Sequence, residues 1–165
     1  MAYNGNNYSR GNDYSDNRNN RNNGYGGNRN NDRREEEEQL KPKPLPEDYV
    51  GEAQKVMMEY RSDKKKITTS KIRNILSMVS DIYNNESRRS AERTLSSASL
   101  SKLQLLRIRM VYECGRNPDD VKPFIEKTHL ISYLLDIGDN REKFIRFARY
   151  MEALVAYHRF FGGKD

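Results

Sequence analysis

The chain has 165 residues, of which 35% are hydrophobic and 33% charged, and it carries 30 Lys and Arg against 24 Asp and Glu. Its single cysteine excludes an internal disulfide, and no zinc-type Cys/His cluster is present. No run of about 18 apolar residues and no N-terminal apolar stretch occurs, so we expect neither a membrane span nor secretion, and a cytoplasmic location.

The composition changes near residue 44. Residues 1–32 are rich in Asn, Gly, Arg and Tyr and offer almost no aliphatic side chains to bury, so we expect them to be disordered. An acidic run and the proline linker KPKPLP follow. We therefore predict a disordered tail and linker over 1–44 and a folded domain over 45–165. After Pro44 the chain holds 22 Lys and Arg against 17 Asp and Glu, a surplus that suits a polyanionic partner without identifying one.

Two helices are predicted in the first part of this domain. The first runs from Glu47 to about Arg61, and the second begins after Thr68, whose side chain suits an N-cap. The polar stretch 84–99 predicts a loop or a frayed helix end, in which Glu86 is expected to be a surface charge. Apolar spacing predicts the buried face of the second helix as Ile72, Ile75, Leu76, Val79, Ile82 and Tyr83.

The third and fourth helices are predicted over about 99–115 and 119–137. The third is apolar on two sides, which is typical of a helix in the middle of a bundle. The fourth is apolar over most of its surface, and Pro118 and the acids after it suit a helix start. The two apolar sides of the third helix are Leu103, Met110, Val111 and Cys114 on one, and Leu105, Ile108 and Tyr112 on the other.

The last predicted helix runs from Asn140 to Phe161, with Asn140 as N-cap and two glycines after its end. One face carries apolar residues at helical spacing and is expected to face the core: Phe144, Phe147, Ala148, Met151, Leu154, Val155 and Phe161. The other face combines cations and aromatic rings, which suits an anionic, stackable partner: Arg146, Arg149, Tyr150, Tyr157 and Phe160. These helices together predict an all-α fold, a compact bundle of about five helices.

The sequence shows no signature of catalysis. There is no Gly-rich phosphate loop, no pair of carboxylates at metal-ligand spacing and no Ser/His/Asp or Cys/His pattern. His129 and His158 lie near apolar positions and are expected to be core or boundary residues. We therefore expect a binding protein that is not an enzyme and uses no cofactor or metal.

Three segments carry a resemblance to a known family: KKKITTSKIRNILSMV, LLRIRMVYECGR and FARYMEALVAYHRFFGGK. Together they resemble the small helical subunit of type III-A CRISPR effector complexes, the Csm complexes, over roughly residues 45–165. The resemblance implies a five-helix bundle, present as stacked copies along the guide RNA and target RNA of an antiviral complex. It also implies contacts with the backbone and large subunits, to which the family's nuclease activities belong.

We expect this protein to contact the phosphates of the RNA. Base pairing between guide and target, and not this protein, would then read the sequence. The alternative is a helical adaptor whose basic faces bind acidic proteins. The first hypothesis predicts RNA retention that falls steeply with salt, and this dependence distinguishes it from the adaptor. The candidate RNA-binding residues, carried over by segment, are Lys64, Lys65, Lys66, Lys71, Arg73, Arg109, Arg116, Arg146, Arg149 and Arg159.

Overall fold

A computed structural model describes residues 1–2, 34, 37–38, 40–62, 66–89 and 92–164, so most of the predicted tail lies outside the described residues. The predicted all-α fold is confirmed. Within the described residues, six helices form: α1 (Tyr49–Tyr60), α2 (Thr69–Ser87), α3 (Ser97–Arg116), α4 (Val121–Lys127), α5 (Leu130–Ile137) and α6 (Arg141–Phe160). None of them combines the length and apolarity that a membrane crossing requires.

Helix α6 is the element against which much of the bundle packs. The Asn140 side chain accepts a hydrogen bond from Lys143 N at 3.0 Å, which confirms the predicted N-cap. The apolar face packs against α1, α2 and α5. Four large side chains of this face are buried almost completely: Phe144, Phe147, Met151 and Leu154.

Helix α2 lies between α6 and α3 and contacts both. The Thr68 side chain accepts a hydrogen bond from Lys71 N at 3.3 Å, as its predicted capping role requires. Ile72, Ile75, Val79 and Ile82 are buried, whereas Leu76 and Tyr83 are half-buried at the edge of the same face.

The prediction of a single fourth helix over 119–137 is wrong, because the structure has two helices there, with a break after Lys127. His129 adopts a left-handed backbone with φ 52°, which costs on the order of 1 kcal/mol for a residue other than glycine. The Thr128 hydroxyl donates to Phe124 O at 2.7 Å, and its carbonyl accepts from the Tyr150 hydroxyl at 3.0 Å. Contacts with α6 therefore stabilise a break that no Gly or Pro marks in the sequence.

Tyr150 was predicted on the cationic and aromatic face of α6, and this prediction is wrong. Its side chain is fully buried, and its ring meets that of Tyr133 on α5 edge to face, with centroids 5.5 Å apart. Burial raises the pKa of the Tyr150 hydroxyl well above its ordinary value. Helix α5 covers the side of α6 on which Tyr150 lies.

Helix α3 lies at the edge of the bundle, not in its middle as predicted. It packs against α2, α4 and α5 with one face only. The second apolar side is open to solvent: Leu105, Ile108 and Tyr112 are 58%, 64% and 56% exposed. Val111, predicted on the same side as the buried Leu103 and Met110, is also exposed.

Glu86 is buried and not the surface charge that the sequence suggested. Its carboxylate accepts from Ser96 N at 3.2 Å and from the Ser96 hydroxyl at 2.9 Å, and it pairs with Arg89 at 2.8 Å. The backbone carbonyl of Glu86 accepts from Arg141 Nη2 at 2.7 Å. This network joins the end of α2 to the starts of α3 and α6.

Candidate nucleic-acid interface

A groove of about 510 Å³ separates α2 from α3, and it brings together part of the predicted RNA-binding set. Lys71 of α2 and Arg109 and Arg116 of α3 line it. Arg116 also lines an adjoining hollow with Lys66 and the turn 117–120. Four of the ten predicted cations therefore line the groove or the hollow that adjoins it, although more than 40 residues of sequence separate Lys71 from Arg116.

Carboxylates partly neutralise these cations. Lys71 Nζ lies 2.6 Å from Asp120 Oδ2 and donates to Asn117 Oδ1 at 3.2 Å. Arg109 pairs with Glu113 at 2.8 Å, one helical turn along α3. With Asp119 also in the hollow, the surface carries only about one more positive charge than negative. Lys66 and Arg116 are exposed.

The other predicted cations do not line this groove. Arg73 is exposed and lies two residues after Lys71, which places it about 200° around α2 from that residue. Arg159 donates to Gly163 O at 3.2 Å, near the C-terminal end of α6. Lys64 and Lys65 lie outside the described residues.

Arg146 and Arg149 lie on α6 and have partners of their own. Arg146 Nη2 donates to the backbone carbonyls of Leu45 and Pro46, at 3.3 and 2.9 Å. It thereby fastens the chain before α1 to α6. The two contacts indicate a structural role for this guanidinium.

Arg149 donates to the Tyr83 hydroxyl at 2.6 Å, and its guanidinium lies 5.0 Å from the centre of that ring. Its Nη1 donates to Glu152 Oε2 at 2.9 Å. The Glu152 carboxylate, through this hydrogen bond and its charge, raises the pKa of Arg149. The arrangement links α2 to α6 away from the groove.

Two polar residues of α2 that line the groove were missed by the sequence analysis. Asn74 and Ser77 line the groove beside Lys71, and amide and hydroxyl groups commonly bind phosphate oxygens. Asn74 lies three residues after Lys71 and therefore on the same side of α2. That spacing was the signal that could have identified it.

The histidines and the cysteine have surroundings typical of structural residues. His158 is buried, with Nε2 3.1 Å from Ile67 O, which confirms the predicted core role. Burial raises the pKa of the Cys114 thiol to about 11, so the thiolate is scarce at neutral pH. Among the described residues, no group of three His, Cys, Asp or Glu side chains is placed to hold a metal ion.

Comparison with known proteins identifies the family. The family model described as Csm2 Type III-A matches residues 43–164. A CRISPR system Cms protein Csm2 from Streptococcus thermophilus is 40% identical over 122 residues, which cover 72% of this chain and 95% of that protein. The protein of the same name from Mycobacterium tuberculosis H37Rv is 37% identical over 122 residues, covering 73% of this chain and 97% of the relative. The chain belongs to the Csm2 family, the small subunits of type III-A CRISPR systems.

Proposed function

We propose that this protein is a non-catalytic, cytoplasmic subunit of an RNA-guided type III-A interference complex that contacts RNA through the α2–α3 groove. In this proposal, copies stack along the guide–target RNA duplex beside the backbone and large subunits and support antiviral defence. The observation that carries the proposal is the grouping of Lys71, Arg109 and Arg116 around the groove, with Lys66 in the hollow that adjoins it. Membership of the Csm2 family supports the proposed place in a type III-A complex.

The proposed contact is electrostatic and independent of sequence. Lysine and arginine bind phosphate oxygens directly, and each phosphate neutralised releases counterions. Lys71 and Arg109 would exchange a carboxylate partner for a phosphate, which lowers the net gain per contact. We therefore expect weak RNA binding by one copy and a large gain when several copies engage one strand.

A second candidate function is that of a protein-interaction adaptor. The exposed apolar side of α3, formed by Leu105, Ile108, Val111 and Tyr112, favours contact with another protein. The two functions differ in their response to nuclease. Partners held through RNA dissociate after nuclease treatment, whereas direct protein partners remain.

Isolation of the protein from its host tests whether it belongs to the proposed complex. A tagged copy is purified, its protein partners are identified by mass spectrometry and its bound RNA is sequenced. We expect CRISPR backbone subunits together with repeat-derived guide RNA. Recovery of other proteins without guide RNA would favour the adaptor.

The contact itself is tested by substituting three cations of the groove and its adjoining hollow together, Lys66, Arg109 and Arg116, each by Ala. The matched control substitutes Lys55, Arg88 and Arg93, which are exposed but do not line the groove. Binding of a labelled single-stranded RNA is measured over a range of salt concentrations. The negative slope of log affinity against log salt should become shallower by about 2, or about 0.7 per phosphate lost, in the groove variant only. An unchanged slope in that variant would rule out the groove as the RNA contact.

A further inference from the structure

The C-terminal segment Gly162–Lys164 folds back onto the start of α2. Gly163 N donates to His158 O at 2.9 Å, and Gly162 takes the positive φ of 86° that this reversal needs. Lys164 O then accepts from Thr69 N at 2.7 Å and from the Thr69 hydroxyl at 3.0 Å. The Thr69 amide in the first turn of α2 is therefore satisfied by the carbonyl of Lys164.

His158 provides a second attachment to the same place. Its Nε2 lies 3.1 Å from Ile67 O, and since a carbonyl only accepts, Nε2 carries the proton. Its Nδ1 lies 3.2 Å from the Thr69 hydroxyl. On the other side, Ile67 N donates to the Tyr60 hydroxyl at 2.8 Å. Both backbone polar groups of Ile67, the residue after Lys66, are thus held by side chains from α1 and α6.

Gly163 is required by this packing. A Cβ at position 163 would lie 2.2 Å from two atoms of the His158 ring and 2.7 Å from His158 O. A larger residue would therefore displace either the ring from Ile67 or the C-terminal segment from Thr69. By contrast, a Cβ at Gly115 on α3 would meet nothing within 4 Å.

We propose that His158 and the segment Gly162–Lys164 are positioning elements for the RNA contact, because they fix the backbone from which Lys66 reaches the hollow shared with Arg116. The inference rests on the proposed function of the groove. It assigns Gly162, Gly163 and Lys164 to that function without direct contact with RNA. A side chain contributes more binding free energy when its backbone is already held in place, since less conformational entropy is lost on binding.

The first test measures whether the segment holds Lys66 in place. Full-length Gly163→Ala and the matched control Gly115→Ala are treated with trypsin under native conditions, and peptides beginning at Ile67 are quantified by mass spectrometry. Cleavage of the Lys66–Ile67 bond should be about tenfold faster in Gly163→Ala, the change expected when one or two hydrogen bonds are lost, and unchanged in the control. Equal cleavage rates would overturn the proposal.

A second pair of variants covers the case in which Gly163→Ala does not fold. Thr69→Val removes the hydroxyl that faces His158 and Lys164 O but keeps the backbone N–H. Thr69→Ser retains a hydroxyl. We expect faster cleavage after Lys66 in the valine variant and the wild-type rate in the serine variant, and the same rate in both would overturn the proposal.

The second test measures whether this positioning matters for RNA. Lys66→Ala should reduce the steepness of the salt dependence by about 0.7, and Gly163→Ala should reduce it by the same amount. The double variant should show no greater reduction than either single variant. If Lys66→Ala shows a reduced salt dependence and Gly163→Ala shows that of the wild type, the inference is overturned and the proposed function remains. A wild-type slope in the triple groove variant would instead refute the proposed function, and the inference with it.

Discussion

Lys71 Nζ lies 2.6 Å from Asp120 Oδ2, so a carboxylate at the start of α4 neutralises a lysine of the α2–α3 groove. The other oxygen of the same carboxylate accepts from Val121 N at 2.8 Å. Asp120 therefore caps α4 and competes with phosphate for Lys71. The two roles can be separated, because Asn caps helices about as well as Asp and carries no charge.

The Asp120→Asn variant should bind RNA more tightly while remaining folded. Loss of the carboxylate frees Lys71, and a partly exposed pair of this kind is worth up to about 1 kcal/mol, so we expect affinity at low salt to rise about threefold. Fluorescence anisotropy with labelled RNA measures this change. Asp81→Asn, at an exposed position of α2, serves as control for the loss of one negative charge. Equal gains in the two variants would point to a general charge effect and not to Lys71.

Arg146→Ala should lower stability without changing the salt dependence of RNA binding. The guanidinium donates to Leu45 O and Pro46 O, and loss of both hydrogen bonds should lower the free energy of unfolding by about 1–2 kcal/mol. Urea unfolding measures the first quantity and RNA titration the second. A weaker salt dependence with unchanged stability would instead support the RNA-binding role that the sequence predicted for Arg146.

Glu86→Gln should destabilise the junction of α2, α3 and α6. The amide keeps the shape of the side chain but loses the charge that pairs with Arg89. Its NH2 group replaces one of the two oxygens and therefore faces a donor, either from Ser96 or from Arg89. We expect a loss of about 2 kcal/mol in the free energy of unfolding, measured with urea at neutral pH. Glu92→Gln, at an exposed position, should change it by less than about 0.5 kcal/mol. Similar losses in the two variants would show that the buried network of Glu86 contributes no more to the free energy of unfolding than an exposed charge does.

Stability should fall as the solution becomes acidic. Burial lowers the pKa of His158 from its ordinary value of 6.5; the hydrogen bond to Ile67 O opposes this shift, and the charges of Arg159 and Lys66 add to it. The folded state therefore favours the neutral imidazole, while the unfolded chain takes up a proton below about pH 6.5. The stabilisation is present above that pH and is lost as the pH falls through the folded pKa.

Urea midpoints between pH 7.5 and 5 measure this dependence. His158→Gln should flatten the profile, because Gln does not titrate. The pKa of His129 is also lowered by burial, so each single variant should remove only its own part of the pH dependence, and His129→Gln measures the part that His158 does not supply. An unchanged profile in His158→Gln would assign the pH dependence to other groups.

Local patterns predicted the parts of the fold that depend on neighbours along the chain. Thr68 and Asn140 cap their helices as expected, because a cap is a contact made within three residues. The buried faces of α2 and α6 also follow the predicted spacing. The break at His129 has no such signal, since the Tyr150 hydroxyl that holds Thr128 O lies 22 residues away in sequence.

The candidate site was predicted only as a collection of cations. Lys71 and Arg109 meet at one groove because α3 packs beside α2, and Arg146 bonds to the chain before α1 because α6 passes there. No local pattern distinguishes a lysine at a groove from one on an open surface. The same holds for Glu86, whose burial requires three separate segments to converge.

The α-helical bundle and the resemblance to the small Csm subunit could be read from the residues alone, because helix periodicity, caps and family motifs each occupy a short segment. The covered side of α3, the position of Tyr150 and the set of cations that share a surface could not be read in this way. These properties depend on which helices pack together. Packing is settled by the burial of apolar surface summed over the whole bundle and not by any one helix.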